Sequence, residues 1–213
     1  MTEHEKLKEI ARLLIKNNHK ERELGLLTGK TGKVIFFFLY FQFTSNGLYK
    51  DFAEALLEDV CEEVNNELYF DYRKGICGIG WGLDYLIHNR FVQIENNDFF
   101  EDLDNTLLNN FPNMIESGYC SPKDIALYAL SRYSHDNPEL IPACKTTFIP
   151  DLIGAVNAHG KYDTASIENN LRLLYEGKQF KCDHNLFLVN EINRERKLNL
   201  VSEGLLLLIS HEK

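Results

Sequence analysis

The sequence predicts an all-α protein made of repeated helical hairpins, and three observations carry that prediction. A glycine-bearing segment occurs twice, as Gly25-Leu26-Leu27-Thr28-Gly29-Lys30-Thr31-Gly32 and as Gly75-Ile76-Cys77-Gly78-Ile79-Gly80-Trp81-Gly82. Gly29 falls on Gly75 and Gly32 on Gly78 at an offset of 46 residues. Each copy leads into a stretch that is apolar on all sides, and each such stretch is followed by one that is apolar on a single helical face. A repeat of this length, pairing a fully buried helix with a half-exposed one, is the sequence pattern of stacked hairpins.

The elements follow in order. Leu7, Ile10, Ala11, Leu14 and Ile15 recur at helical spacing among Lys and Glu, which predicts an amphipathic helix over residues 4–18, ending in Asn17-Asn18-His19. The run Val34-Ile35-Phe36-Phe37-Phe38-Leu39-Tyr40-Phe41 is apolar all round and is read as a buried inner helix. Periodicity alone leaves strand or helix open for such a run, and the neighbouring helical patterns decide it. Residues 49–66 place apolar side chains at 52, 53, 56, 57 and 60 and form the first outer helix. The second glycine segment opens the next inner helix. Residues 98–110 form its outer partner, with Asp98 as N-cap candidate.

A further step of 46 residues lands on Ser121-Pro122-Lys123-Asp124, followed by Ile125-Ala126-Leu127-Tyr128-Ala129-Leu130, so the apolar segment persists while the glycines are lost. Beyond residue 134, where Pro138, Pro142 and Pro150 punctuate the chain, helices are predicted at 151–158, 164–176 and 184–196. The last apolar segment, Leu198 to Ile209, reads as a fourth, degraded inner helix. No stretch reads as a linker, so residues 1–213 are taken as one domain, with clear repeats over 20–133 and degenerate ones over 134–213.

Composition excludes several classes. With 213 residues, 44% hydrophobic and 26% charged, the chain is neither collagenous nor disordered. A chain of this size buries roughly 70% of its unfolded surface and needs no staple. The 32 acidic against 23 basic residues, a net charge of -9, would repel a phosphate backbone, and no run of four basic residues offsets it; nucleic acid is excluded as a partner. The longest apolar run is far short of the ~18 residues of a spanning helix. The amino terminus has no basic start leading to an apolar core, which predicts a cytoplasmic protein. Five cysteines, at 61, 77, 120, 144 and 182, are odd in number and contain no CxxC pair, against a disulfide framework and against a zinc ribbon.

Glycine permits close backbone approach, so the clustered glycines are expected in tight turns before inner helices, the alternative being loops that line a pocket at one end of the helical barrel. Gly25 to Thr31 approaches the phosphate-loop pattern G-x-x-x-x-G-K-[ST], but only three residues separate Gly25 from Gly29, and a helix, not a strand, precedes it. Gly78-Ile79-Gly80-Trp81-Gly82 likewise lacks the spacing and the strand of a dinucleotide site. Nucleotide binding is rejected at both.

The two glycine segments, the aromatic run between them, the acidic outer helix, and above all Gly75 through Trp81-Gly82-Leu83-Asp84-Tyr85-Leu86-Ile87-His88-Asn89, resemble the lanthionine synthetase C-like family, in particular its short bacterial members. The resemblance covers about residues 20–133. It implies an α/α toroid, or part of one, with inner helices ringed by outer helices. It also implies a chemistry: addition of a peptide cysteine thiol across a dehydrated serine or threonine, with zinc holding the thiolate. A catalytic zinc takes three protein ligands and keeps one position open. In the family these come from a Trp-Cys-Tyr-Gly-type motif and a later adjacent Cys-His pair. Here Trp81 is followed by Gly82, and Cys182-Asp183-His184 has a residue interposed. The reading is therefore a family member without the recognisable zinc site: no catalytic, cofactor or metal residue is assigned, and the chain is expected to act as a peptide-binding or accessory module in peptide modification.

Two other readings compete with it. An atypical zinc cyclase would use Cys182 and His184, with Cys144 or His159 as third ligand. A toroid glycan hydrolase would need paired carboxylates, but Asp84 is the single acid inside an inner segment, and Glu101, Asp102 and Asp104 are expected on a solvated outer face. His88 is an acid-base candidate or, more plainly, a helix-end residue. A peptide or partner protein is the expected ligand. An incomplete ring would expose apolar inner surface, so closure by the carboxy-terminal helices or self-association is expected.

Overall fold

The structure, a computed structural model, describes residues 2–64, 69–93, 98–116, 120–134, 147–158, 165–178, 180, 182–195 and 197–211. The described residues are helical, without strands. They form α1 (Glu3–Asn17), a 3-10 turn (Asn18–Lys20), α2 (Lys30–Thr44), α3 (Gly47–Glu63), α4 (Ile76–His88), α5 (Asp98–Glu116), α6 (Pro122–Ser134), α7 (Phe148–Ala158), α8 (Ala165–Tyr175), α9 (His184–Asn193) and α10 (Leu200–His211). Two compact units result. One comprises Met1–Leu68, Arg73–Gly75 and Asp183–Lys213, and the other Tyr69–Tyr72 and Ile76–Cys182.

In the first unit, α2 forms a hairpin with α3 and also packs on α10, which in turn packs on α1 and α9. The amino terminus is fixed by a reciprocal cap. Thr2 Oγ1 accepts from Glu5 N at 3.2 Å, and Glu5 Oε2 accepts from Thr2 N at 2.7 Å. Helix α2 is buried from Lys30 to Tyr40. Its aromatic side chains interlock with α3, Phe37 meeting Phe52 edge-on at 4.8 Å and Tyr40 lying 4.6 Å from Tyr49. On its other side α10 comes close enough that a Cβ on Gly204 would sit 2.5 Å from Phe36 Cε2. The carboxy-terminal apolar segment thus packs against α2 as a core helix of this unit.

The second unit gathers α4, α5, α6, α7 and α8, with α6 touching α4, α7 and α8. Trp81, Tyr72, Tyr85, Tyr128 and Phe100 are its largest fully buried side chains, with Tyr72 edge-on to Trp81 at 5.7 Å.

The 46-residue period is carried by helix starts: α2, α4 and α6 begin at Lys30, Ile76 and Pro122. The first two share a capping device. Seven residues upstream of each start, the chain supplies carbonyls to the helix's orphan amides. Lys30 N donates to Glu23 O at 2.9 Å and Thr31 N to Leu24 O at 3.1 Å. In the second copy Ile76 N donates to Tyr69 O at 2.8 Å and Gly78 N to Asp71 O at 3.4 Å.

This capping corrects the expected place of the glycines. Gly29 is the N-cap of α2, but Gly32, Gly78, Gly80 and Gly82 lie inside helices rather than in turns before them. Gly32 and Gly80 serve close packing. A Cβ on Gly32 would lie 2.0 Å from Leu26 O and 2.9 Å from Val201 Cγ1, because the capping chain crosses the first turn of α2. A Cβ on Gly80 would lie 2.6 Å from Leu103 Cδ2 and from Tyr128 Cε2.

A second correction concerns α5. Glu101 and Asp102 are exposed as expected, but Asp104 is only 2% exposed. Tyr128 donates its hydroxyl to Asp104 at 2.7 Å, Tyr133 does so at 3.4 Å, and Arg132 Nε at 3.3 Å, while the Arg132 guanidinium lies 4.3 Å over the Phe100 ring. Helix α5 runs to Glu116, and a face three to four residues wide turns inward with Phe100, Leu103, Leu107 and Phe111, taking Asp104 with it. Burial raises the Asp104 carboxyl above its usual range, against the lowering pull of Tyr128, Arg132 and Tyr133.

Two outcomes are expected in urea unfolding. Gly32→Ala destabilises more than Gly80→Ala, since the Gly32 methyl meets a backbone carbonyl while the Gly80 methyl meets side chains that can turn; overpacking of the second kind costs about 1–3 kcal/mol. Asp104→Ala, which removes the buried carboxylate shared by Tyr128, Tyr133 and Arg132, costs about 1–3 kcal/mol, whereas Glu101→Ala stays within about 0.5 kcal/mol.

Candidate functional site

The Gly25–Thr31 segment does not cradle an anion. Its helix-terminal amides are spent on Glu23 and Leu24, and the Thr31 hydroxyl donates to Leu24 O at 2.6 Å. Lys30, which a phosphate loop would aim at its ligand, instead reaches Glu63 at 2.6 Å and Asp59 at 3.2 Å on α3. Burial pulls the Lys30 ammonium down, but hydrogen bonds to Glu63 and Asp59 outweigh it and hold its pKa above the usual lysine value. It is a structural cation.

One turn further along α2, Lys33 has a different setting. Its side chain is 4% exposed and lines a pocket of about 600 Å³ in the first unit. Lys33 Nζ lies 3.2 Å from Glu21 Oε2 and 3.5 Å from Asn18 Oδ1. Burial pulls its pKa below the usual lysine value, Glu21 opposes the shift, and the charge of Lys30 adds to it.

The walls come from three places. The end of α1 and the turn after it give Leu14, Asn17, Lys20 and Glu21; the capping loop gives Thr28; the start of α10 and the residues before it give Leu198, Asn199, Leu200, Val201 and Glu203. Asn199 binds two of these together. Its Nδ2 donates to Leu27 O at 2.7 Å, beside Thr28, and its Oδ1 accepts from Ser202 N at 3.0 Å in the first turn of α10. Thr28 Oγ1 is buried and makes no hydrogen bond among the described residues. Lys6 pairs with Glu203 at 2.5 Å, so the acid at this edge of the pocket is balanced from α1.

The residues singled out by sequence are scattered by comparison. Asp84 is buried on α4 and accepts a hydrogen bond from Ser131 of α6. It and Asp104 each bind neighbouring side chains within the second unit. His88 is exposed in the last turn of α4, where Arg90 adopts φ 59° and Phe91 N closes the end on Leu86 O at 2.9 Å, which is a helix-end position. Cys182 and His184 are buried, and Asp183 between them caps α9 by accepting from Leu186 N at 2.9 Å. The expected polar loop is therefore a helix cap. Cys144 and His159 lie outside the described residues.

Among the described residues no group of three or more His, Cys, Asp or Glu side chains is arranged to hold a metal ion. Two thiols of the second unit resist ionisation. Burial raises Cys77 well above the usual thiol range, and burial together with Asp124 pushes Cys120 up to about 11. Among the described residues no helix is long and apolar enough to cross a membrane.

Sequence reading missed Lys33, Thr28 and Glu21. A signal for the first existed: Lys33 is the last charge before eight uninterrupted apolar residues of a helix read as buried all round. Comparison with protein-family models, with curated proteins and with solved structures finds no match to this chain.

The Lys33 shift has a signed consequence. A lysine whose folded pKa is lowered binds fewer protons than the unfolded chain just below the ordinary value near 10.5, so stability rises with pH through that window. The stability difference between the native protein and Lys33→Met should therefore move in favour of the native protein as pH is raised from 7 toward 10, as read by urea unfolding of both.

Proposed function

We propose that this protein is a lanthionine synthetase C-like helical module, a complete or partial α/α toroid, that binds a peptide without catalysing its cyclisation. The observation that carries the reading is the pocket beside Lys33. Thr28 of the first glycine segment lines it, it combines an apolar wall with a few convergent polar groups, and a buried lysine faces it; such concave sites are the default places for ligands.

Gly82 directly after Trp81, and the residue interposed in Cys182-Asp183-His184, stand where the resemblance implies zinc ligands and favour binding over thiol addition. The repeat spacing of α2, α4 and α6 supports the family reading.

A peptide carrying one cysteine and one dehydroalanine tests this. Calorimetry should record binding, and alkylation followed by mass spectrometry should find the peptide thiol intact after incubation, with or without added zinc. Loss of the alkylatable thiol would make the protein a cyclase. Absence of binding would remove the peptide module altogether.

A further inference from the structure

The pocket beside Lys33 carries more than a location. Its polar and apolar walls together define a ligand chemistry, and the details discriminate among anions.

A phosphate or other dianion is poorly served. The amides at the start of α2 are taken by Glu23 and Leu24, and the one buried cation facing the pocket is already half-neutralised by Glu21. A single negative charge is well served. An ammonium has three donors. Lys33 spends one on Glu21, and its contact to Asn18, at 3.5 Å, is the longest a hydrogen bond allows. Thr28 adds a hydroxyl that no described residue engages. The same pocket is lined by Leu14, Leu198 and Val201, of which Leu198 is 41% exposed.

We propose that the pocket binds an apolar monocarboxylate, its carboxylate on Lys33 and the Thr28 hydroxyl and its side chain against Leu14, Leu198 and Val201. In the peptide-binding reading above, on which this source rests, the carboxylate is the carboxy terminus of a peptide ending in an aliphatic residue. A free N-acylated amino acid presents the same chemistry. A monoanion also suits the lowered basicity of Lys33, because an incoming carboxylate returns to the ammonium the stabilisation that burial removes. Asn199 is a positioning residue here: by holding Leu27 O and the first turn of α10 it fixes the loop that carries Thr28.

The test is calorimetric titration of the full chain with three probes: acetyl-Gly-Ala-Leu as the free acid, the same tripeptide as the carboxy-terminal amide, and N-acetyl-leucine. The free acid should bind about tenfold or more tightly than the amide, the size expected when a buried charged hydrogen-bond partner is lost. Thr28→Val and Lys33→Met should each bring the acid down to the affinity of the amide. Thr28→Val breaks no internal hydrogen bond, and its unchanged melting temperature separates lost binding from lost folding.

Equal affinity for acid and amide would overturn the carboxylate site while leaving peptide binding standing. Equal affinity for the tripeptide acid and N-acetyl-leucine would keep the carboxylate site and remove the peptide as its source. No binding of the free acid would overturn the proposal.

Discussion

The close crossing of residues 23–27 over the first turn of α2 is the constraint on which the first unit depends. It satisfies the orphan amides of a buried helix end without water or a side-chain cap, which is the requirement any helix buried at its terminus must meet. The crossing leaves no space for a Cβ at Gly32, and Gly25 is similarly pressed, since its Cβ would lie 2.3 Å from Lys74 Cα. A third contact, Leu27 N donating to Arg73 O at 3.0 Å, fastens the same loop to the stretch that precedes the second repeat. Arg73 is itself paired with Glu195, and Glu195 accepts from Ser202 of α10 at 2.7 Å. The glycine segment is thus a structural knot whose by-product is a fixed pocket wall.

That knot explains why three basic or hydroxyl-bearing neighbours have three fates. Lys30, at the start of α2, is turned toward α3 and is neutralised there by two carboxylates. Thr31 spends its hydroxyl on the capping chain. Lys33, a turn later, emerges where α1 and α10 part, and only Glu21 opposes its charge directly. Burying a lysine in a helix whose other faces hold Phe36, Phe37 and Phe38 is unfavourable for stability compared with an aliphatic residue. The arrangement is the kind from which binding sites are made, because the desolvated cation keeps a donor beyond those aimed at Glu21 and Asn18.

The all-helical class was legible in the sequence because it rests on patterns that sequence shows directly. The period of 46 residues reappears as the starts of α2, α4 and α6, and the all-apolar run over 34–41 lies within a helix buried from Lys30 to Tyr40. Helix ends were less legible. The expected 49–66 is Gly47–Glu63, with Asn46 as N-cap accepting from Leu48 N at 3.2 Å, and the expected 184–196 ends at Asn193. The glycines misled because a glycine in a turn and a glycine in a crowded helix look alike in sequence. Asp104 misled for a related reason: helical spacing says which residues share a face, but the depth to which α5 sinks depends on Tyr128, Arg132 and Tyr133, which come 24 to 29 residues later. The pocket was the least legible, since its walls are drawn from residues 14–33 and 198–203, and only folding brings α10 to α1 and α2.

The same separation bears on how the site is held. Each wall of the pocket is weak by itself: Asn17 and Lys20 are exposed, Thr28 sits in a loop, and Leu198 and Asn199 lie ahead of a helix. What makes them one surface is the pairing of the chain's two ends, α1 against α10 with Lys6 on Glu203, and the single side chain of Asn199 that bonds both the Thr28 loop and the first turn of α10. Exposed ion pairs of the Lys6–Glu203 kind contribute little, on the order of 0–1 kcal/mol. The binding of loop to helix by Asn199, and the burial of Val201 against Gly32, must therefore carry the geometry. Because α10 is also a core helix of this unit, packed on α2 through Gly204 and Phe36, the pocket wall and the core are held by the same docking, and loss of order at α10 would disturb both together.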